Sequence, residues 1–424
     1  MSLEEKYREL FARGKKVLHG SAPALMNSLR QSALERFFES ADFNDEKYRQ
    51  ISPLTALYPA NDDLENIPPW RKTLRFRPIE GVRTVVVKNG QIVSDDCSFV
   101  RNYKITGLRQ FIEQHRDIAK DYFANLTNKY ETPLTALNTA FCNDGFVIYL
   151  PKTVQTFRPV YIYNITTVGF ANYHNMIIAE KDTSVNICIR NIVNAPNNAI
   201  FNGVTEIFAD SKSNVALTQL NDGYYANLYN SFLCRQAASS KTALCSVTFS
   251  GRQVINSFNM RLEGKYSETR LLGASFPSQG QQISHLSTVE HSGAGATSDQ
   301  LFRNILSDNG IGVFNGRIHV GPRAAETVAT QRNDNLLLSD DAKMFTKPDL
   351  VIDNDDVKCS HGATVGQPDS DALFYCRARG IAEHDARRLL AKAFITELLK
   401  KLNCKFASEH TAELIERWLD SYHY

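Results

Sequence analysis

A polar corner recurs through the middle of this 424-residue chain, and each copy is followed by a run of alternating apolar residues. Successive corners start 30, 28, 25 and 29 residues apart. A near-constant period of this size is typical of stacked supersecondary units that bury their apolar faces against one another. No helical pattern interrupts roughly 200 residues from about residue 146 onward, so the units consist of strands. The corners begin at Ala179, Ala209, Ala237, Leu262 and His291.

Repeated corners joined by strands predict a mainly β fold with a β-helix, or solenoid, as its core. A β-sandwich would give similar strands but offers no reason for the corners to repeat. Around this core we predict an N-terminal helical and mixed α/β region over 1–145, the β-helix over 146–375, and a C-terminal helical region over 376–424. Within the first region, the Asn-Gly pair in TVVVKNGQIV (84–93) predicts a hairpin with a two-residue turn.

Composition excludes several classes of protein. The formal net charge is only +2, which supplies no basic surplus for nucleic acid. About 18 consecutive apolar residues, the length needed for a membrane-spanning helix, occur nowhere in the sequence. The N-terminus is charged and amphipathic and does not resemble a secretion signal, so we expect a cytoplasmic protein. The eight cysteines form no C-x-x-C pair, which predicts reduced thiols rather than disulfides or a closed zinc or cluster cage.

The C-terminal region has the pattern of two amphipathic helices. Its apolar residues fall on one face of each helix, and cationic residues cover the opposite side of the first. Two interpretations are open: a helical hairpin that caps the open end of the solenoid, or a surface that docks a partner protein. The residues predicted to form the partner-binding face are Leu390, Phe394, Leu398, Leu414 and Trp418.

The segment DDVKCSHGATVG (355–366) carries a cysteine and a histidine two residues apart. If it is a strand, Cys359 and His361 point the same way, because side chains alternate with a period of two. A thiolate and an imidazole can supply two ligands to iron or zinc, but two are too few for a closed structural site. The pair therefore indicates a ligand set completed by another chain, or a thiol activated by its neighbour. The alternative is a packed core cysteine beside a hydrogen-bonded histidine.

Other motifs for chemistry are weak. The sequence contains neither the G-x-S-x-G nucleophile elbow nor a phosphate-binding G-x-x-x-x-G-K-[ST] loop. Aspartates do not recur at one repeat position, so a row of carboxylates suited to glycan cleavage is not visible. A carbohydrate-active β-helix enzyme and a homodimeric interaction protein without metal chemistry remain the competing hypotheses.

Three late segments carry a family resemblance. They are FNGRIHV (314–320), the long stretch from QRNDNLLL to CSHGATVG (331–366), and LFYCRARGI (373–381). Together they resemble the SufB/SufD family of iron–sulfur cluster assembly proteins. DDVKCSHGATVG is similar to the form found in the SufD members rather than in the SufB members.

The resemblance implies a right-handed parallel β-helix flanked by helical terminal regions. It also implies a scaffold subunit, not an enzyme, that pairs with a SufB-like chain and with a SufC-type ATPase. By position, His361 matches the histidine of the SufD members and Cys359 the neighbouring thiol, at a nascent-cluster site shared with the SufB-like chain. The C-terminal helices match the part that binds the ATPase.

The same resemblance sets expectations for cofactors and assembly. A transient iron–sulfur cluster is expected in the complex and no tightly bound cofactor in the isolated chain, while for flavin the sequence makes no prediction. Because a solenoid ends in an open edge, we expect an isolated chain to pair with itself through the surface that the SufB-like chain would cover.

Overall fold

The computed structural model describes residues 3–19, 22–40, 79–95, 103–152, 154–156, 158–195, 198–402 and 404–421. Helices lie before and after a long region of strands. Their bounds are α1 Leu3–His19, α2 Ala24–Ser40, α3 Leu108–Gln114, α4 Arg116–Tyr122, α5 Asn125–Lys129, α6 Pro133–Phe141, α7 Ser370–Ala378, α8 Glu383–Leu399 and α9 Lys405–Ser421. None of the described helices is long and apolar enough to cross a bilayer.

The strands are short and regular, and most have ten residues. Their bounds are β1 Arg83–Lys88, β2 Gln91–Asp95, β3 Lys104–Gly107, β4 Phe146–Leu150, β5 Val160–Thr166, β6 Phe170–Ala179, β7 Ser184–Val193, β8 Ile200–Ala209, β9 Asn214–Asp222, β10 Asn227–Gln236, β11 Lys241–Ser250, β12 Gln253–Leu262, β13 Glu268–Ser275, β14 Gln282–His291, β15 Thr297–Leu306, β16 Ile311–Val320, β17 Thr327–Leu337, β18 Lys343–Ile352 and β19 Val357–Gly366.

Odd- and even-numbered strands separate into two sheets across the described part of the chain. One is a 10-stranded sheet in the order β19-β17-β15-β13-β11-β9-β7-β5-β1-β2, and the other a 9-stranded sheet in the order β18-β16-β14-β12-β10-β8-β6-β4-β3. Each strand from β5 to β19 is parallel to its neighbours in its own sheet. The chain therefore crosses from sheet to sheet after every strand, which confirms the predicted parallel β-solenoid.

The repeated corners are the connections from the nine-stranded to the ten-stranded sheet. At each one a residue with positive φ, between 57° and 67°, donates its backbone N–H to a carbonyl of the next coil, at 2.7–3.1 Å. Residues with a side chain rarely adopt this backbone conformation, and glycine, asparagine and aspartate tolerate it best. One backbone geometry thus repeats at every corner. The residues are Asp182, Lys212, Ser239, Tyr266, Gly295 and Glu326.

The space between the two sheets is filled by apolar side chains and by stacked amides. Phe232 and Phe258, on neighbouring even strands, stack with ring centroids 5.2 Å apart. Asn164 donates its side-chain N–H to Asn191 at 2.9 Å, and Asn191 donates in turn to Asn221 at 2.8 Å. Asn164 and Asn191 each donate to the amide in the adjacent coil, which lowers the cost of a polar residue at an interior position.

The N-terminal region is built onto the same two sheets. As predicted, β1 and β2 form a hairpin around Asn89 and Gly90, whose φ angles are 49° and 84°. Strand β1 also pairs in parallel with β5, so this hairpin extends the solenoid. Helices α1, α2 and α6 cover the outer face of the nine-stranded sheet, where Phe141 and Phe170 meet edge to face at 5.3 Å.

The C-terminal helices lie against the side of the solenoid. Strand β19 ends at Gly366 and α7 begins at Ser370, so the boundary expected between residues 375 and 376 falls inside that helix. The apolar faces of α8 and α9 pack on the outer face of the ten-stranded sheet, from Tyr161 on β5 to Leu336 on β17. The hairpin of α8 and α9 therefore does not cap the last coil of the solenoid. Within the described residues, β18 and β19 have no strand on their outward edges.

Candidate functional site

The last coil of the solenoid is open on its inner face. Ile352 on β18 is 42% exposed, although its neighbour in register on the preceding coil, Val320, is completely buried. Val365 on β19 is 46% exposed. These inward-facing side chains would be buried if another coil followed. The end of the solenoid thus presents apolar side chains next to strand edges that no described strand covers.

Cys359 and His361 lie on this end strand. Their partners in register on β17 are Ala329 and Gln331, which are both buried inside the solenoid, while Thr330 between them faces outward. Cys359 and His361 therefore share the inner face of β19, as the alternation of side chains predicts. The structure brings them to the open end rather than into the closed core.

The two side chains have different surroundings. Cys359 is partly buried and packs against a small apolar cluster that includes Ile318 and Ala329. This burial raises the pKa of the Cys359 thiol, and the backbone N–H of Ala329 offsets only part of the effect. The thiol is thus held in its neutral form, the opposite of an activated nucleophile. His361 is exposed to solvent.

The pair needs further ligands to hold a metal. Among the described residues, no group of three or more His, Cys, Asp or Glu side chains is placed to bind an ion. A thiol and an imidazole at an exposed edge can contribute two ligands to iron, with the remainder coming from a second chain or from solvent. Burial of the open end by such a chain would also cover Ile352 and Val365.

Most of the other described cysteines are buried. Seven cysteines in the described residues are free, and those other than Cys359 and Cys404 are buried. Burial raises the pKa of Cys142 and Cys245 to about 12, which keeps both thiols protonated and unreactive. They are packing residues. Cys97 lies outside the described part of the chain.

The predicted partner-binding residues mostly face the solenoid. Leu398 is completely buried and Leu414 is 9% exposed, and Phe394 and Trp418 pack partly into the same cluster. Leu390 is half-buried on α8. The apolar stripe identified in the sequence is therefore occupied by the ten-stranded sheet, because an amphipathic helix beside an apolar sheet buries that stripe first.

Helices α7 and α8 also carry exposed apolar residues outside the predicted partner-binding set. Phe374 and Tyr375 on α7 are 73% and 58% exposed, and Leu389 on α8 is 49% exposed. The guanidinium of Arg379 lies over the Tyr375 ring, 4.4 Å from its centroid. We call Phe374, Tyr375 and Leu389 the outer helical patch. Such residues are found at protein–protein interfaces more often than on free surfaces.

Comparison with known protein families shows the family to which this chain belongs. Residues 163–394 match the family model described as SUF system FeS cluster assembly, SufBD core domain, and residues 83–162 match the SufBD protein N-terminal region. The chain belongs to the SufBD family. The family predicted from the late sequence motifs is thus confirmed, and its core model begins within β5 and covers β6 to β19, α7 and most of α8.

Individual relatives agree with the SufBD assignment. The iron–sulfur cluster assembly protein SufD of Bacillus subtilis is 28% identical over 315 residues, which cover 72% of this chain and 71% of that protein. The SufD of Escherichia coli is 38% identical over 157 residues, 37% of each chain. A SufBD family protein of Pyrococcus horikoshii is 25% identical over 434 residues, covering 96% of this chain and 94% of its own.

Proposed function

We propose that this chain is the SufD-like subunit of an iron–sulfur cluster scaffold, pairing with a SufB-like chain at the open end of its solenoid. The observation that carries the proposal is the position of Cys359 and His361 on the inner face of the terminal strand. A second β-solenoid can continue both sheets there. It would cover the exposed Ile352 and Val365 and supply the missing ligands.

An incomplete site suits a scaffold. A cluster under assembly must be released to an acceptor protein, so a cage of ligands from one rigid chain would hold it too tightly. Ligands divided between two chains can be separated by moving the chains apart. In this role the chain binds its cargo without turning over a substrate, so we propose a scaffold rather than an enzyme, acting in the cytoplasm.

The outer helical patch is the proposed docking surface for the SufC-type ATPase. Phe374, Tyr375 and Leu389 are exposed there, and α8 is held firmly against the solenoid by its other face. A partner that binds these helices can therefore transmit movement to the ten-stranded sheet, on which α8 packs. The arrangement supports docking on the exposed face in place of the buried residues first predicted.

The test is to co-express the tagged chain with SufB-like and SufC-type partners and to measure complex formation and iron and sulfide content. His361→Ala should leave the complex intact and remove most of its cluster, because the exposed imidazole is not needed for folding. His319→Ala is the matched control, since His319 lies on β16, 34% exposed and paired with Asp353. A His361→Ala complex that assembles clusters at the normal rate would overturn the proposed site.

Cys359→Ser separates a ligand from a packing residue in the same assay. If Cys359 is a ligand, the variant should form the complex but retain less iron than the wild type. Unchanged iron content would assign the thiol to core packing alone and leave His361 as this chain's contribution to the site.

A further inference from the structure

A buried arginine connects the C-terminal helices to the solenoid near its open end. Arg303 lies on the outer face of β15, and its side chain is only 5% exposed. One guanidinium nitrogen donates to the backbone carbonyl of Phe394 on α8, and another contacts the carboxylate of Glu397. The guanidinium also lies over the Phe394 ring, 4.8 Å from its centroid. This cation thus joins α8 to β15, beside the apolar contacts between the two elements.

The same cation contacts the next strand. Arg303 and Asp334 occupy paired positions on β15 and β17, with 3.3 Å between Nη2 and Oδ2. Asp334 is 4% exposed. Its Oδ1 accepts a hydrogen bond from Arg332 Nε at 3.0 Å and another from the Thr364 hydroxyl at 3.1 Å, and Arg332 Nε also lies 2.8 Å from its Oδ2. Thr364 is the residue paired with Asp334 on β19.

A single row of side chains thus crosses three strands, from α8 to the terminal strand. Charges as buried as Arg303 and Asp334 must remain compensated, because an unpaired buried charge is costly. Asp334 is shared between Arg303 and Arg332, so a displacement of Glu397 or Phe394 that moved Arg303 would alter the charge balance at Asp334 and with it the hydrogen bond to Thr364. Thr364 is three residues from His361, about 10 Å along the strand.

We infer that Arg303 and Asp334 are positioning residues that couple the C-terminal helices to the strand carrying Cys359 and His361. The purpose of this coupling rests on the proposed function: an ATPase that moves α8 would shift the terminal strand. The coupling itself is a property of this chain and can be measured without partners. The row is also asymmetric, since Glu397 is 51% exposed and accessible from outside, whereas Arg303 and Asp334 are buried.

The test is a double-mutant cycle between Glu397→Gln and Thr364→Val in the full chain. The two side chains belong to opposite ends of the row, and each substitution preserves shape while removing a charge or a hydroxyl. The measurement is amide hydrogen exchange of the peptide spanning 357–366. Glu397→Gln should lower the protection of these amides in the wild-type background, and its effect should shrink by at least about twofold when Thr364 is already valine.

Two controls distinguish coupling from general loosening. Thr364→Ser keeps the hydroxyl and should restore the response to Glu397→Gln. Glu416→Gln removes a carboxylate from the same helical hairpin, where Glu416 pairs with Arg388 and Lys392 and not with the solenoid, and should leave β19 unchanged. Independent effects of Glu397→Gln and Thr364→Val, with no difference between backgrounds, would overturn the coupling.

A second arm adds the SufC-type ATPase to the wild type and to Thr364→Val. Coupling predicts that ATPase binding changes the exchange of β19 in the wild type and changes it at least about twofold less in the variant. Equal changes in both proteins would contradict the inference even if docking is confirmed. Failure of the ATPase to bind would instead overturn the proposed docking, and the cycle in the isolated chain would still decide whether Arg303 and Asp334 couple the helices to β19.

Discussion

Trp418 on α9 packs against Phe276, the residue that follows β13, with ring centroids 4.5 Å apart and ring planes inclined by 40°. The pair lies where the helical hairpin meets the ten-stranded sheet. It shows that the hairpin shares one hydrophobic cluster with the solenoid instead of standing apart from it.

Replacing Trp418 should therefore weaken the whole fold. Trp418→Ala is expected to lower the free energy of unfolding by about 2–4 kcal/mol, because it removes a large side chain and leaves a cavity beside Phe276. Urea unfolding followed by far-ultraviolet circular dichroism measures the change. Leu389→Ala is the control: Leu389 is 49% exposed on the same hairpin and should cost less than about 0.5 kcal/mol. Equal effects of the two variants would contradict the observed docking.

Acid should destabilise the protein through two interior histidines. Burial lowers the pKa of His285 to about 3 and that of His291 to about 4. In the unfolded chain both titrate near 6.5, so below that pH the unfolded state binds more protons. Stability is complete above pH 6.5 and falls as the pH decreases toward 4, by up to about 1.4 kcal/mol per pH unit for each histidine.

His285→Leu tests this dependence. Both ring nitrogens of His285 lack a hydrogen-bond partner in the described structure, so the substitution removes a buried polar group of similar size. Unfolding between pH 4 and 6.5 should lose the part of its pH dependence that His285 supplies, up to about 1.4 kcal/mol per pH unit. A slope identical to that of the wild type would show that His285 does not titrate on unfolding.

Cys359 should react slowly near neutral pH. Its raised pKa means that little thiolate is present, and alkylation by iodoacetamide requires the thiolate. The rate at Cys359, followed by mass spectrometry, should climb about tenfold per pH unit from pH 7 to 8 and remain below that of the denatured chain. A rate that is already level at pH 7 would indicate an activated thiol.

The isolated chain should associate through its open end. Light scattering at increasing concentration is expected to detect a dimer, because exposed strand edges beside Ile352 and Val365 favour pairing with a second copy. Val365→Lys should shift the chain toward monomer. Val93→Lys places the same charge on β2, 59% exposed at the other end of the ten-stranded sheet, and should not do so. A strict monomer at high concentration would refute self-pairing.

The solenoid could be predicted because its determinants are local and repeated. One residue of positive φ sets each corner, and alternation sets which side chains enter the core, so both leave a signal in a single sequence. The same rule placed Cys359 and His361 on one face. The Asn89–Gly90 turn was predictable for a similar reason, since few residue pairs adopt that conformation.

The position of the helical hairpin could not be predicted in this way. Its apolar stripe shows that α8 and α9 bury one face, but not whether that face meets a partner or the chain's own sheet. The contacts that decide it join distant residues: Arg303 meets Phe394 and Glu397, which are 91 and 94 positions away. Sequence periodicity carries no information about such pairs, so the outer helical patch and the Arg303–Asp334 row emerge only from the folded chain.

The α8–α9 hairpin extends along the side of the solenoid and contacts it from Tyr161 on β5, where the Tyr161 hydroxyl lies 2.7 Å from His410 Nε2, to Leu336 on β17. Stacked coils are held mainly by their nearest neighbours, so a solenoid unravels most easily from an end. The α8–α9 hairpin is bound across the earlier coils and prevents the coils that it contacts from unravelling. The coil formed by β18 and β19 is then the one that can loosen and close again while the rest of the molecule stays intact, and it is the coil that carries Cys359 and His361.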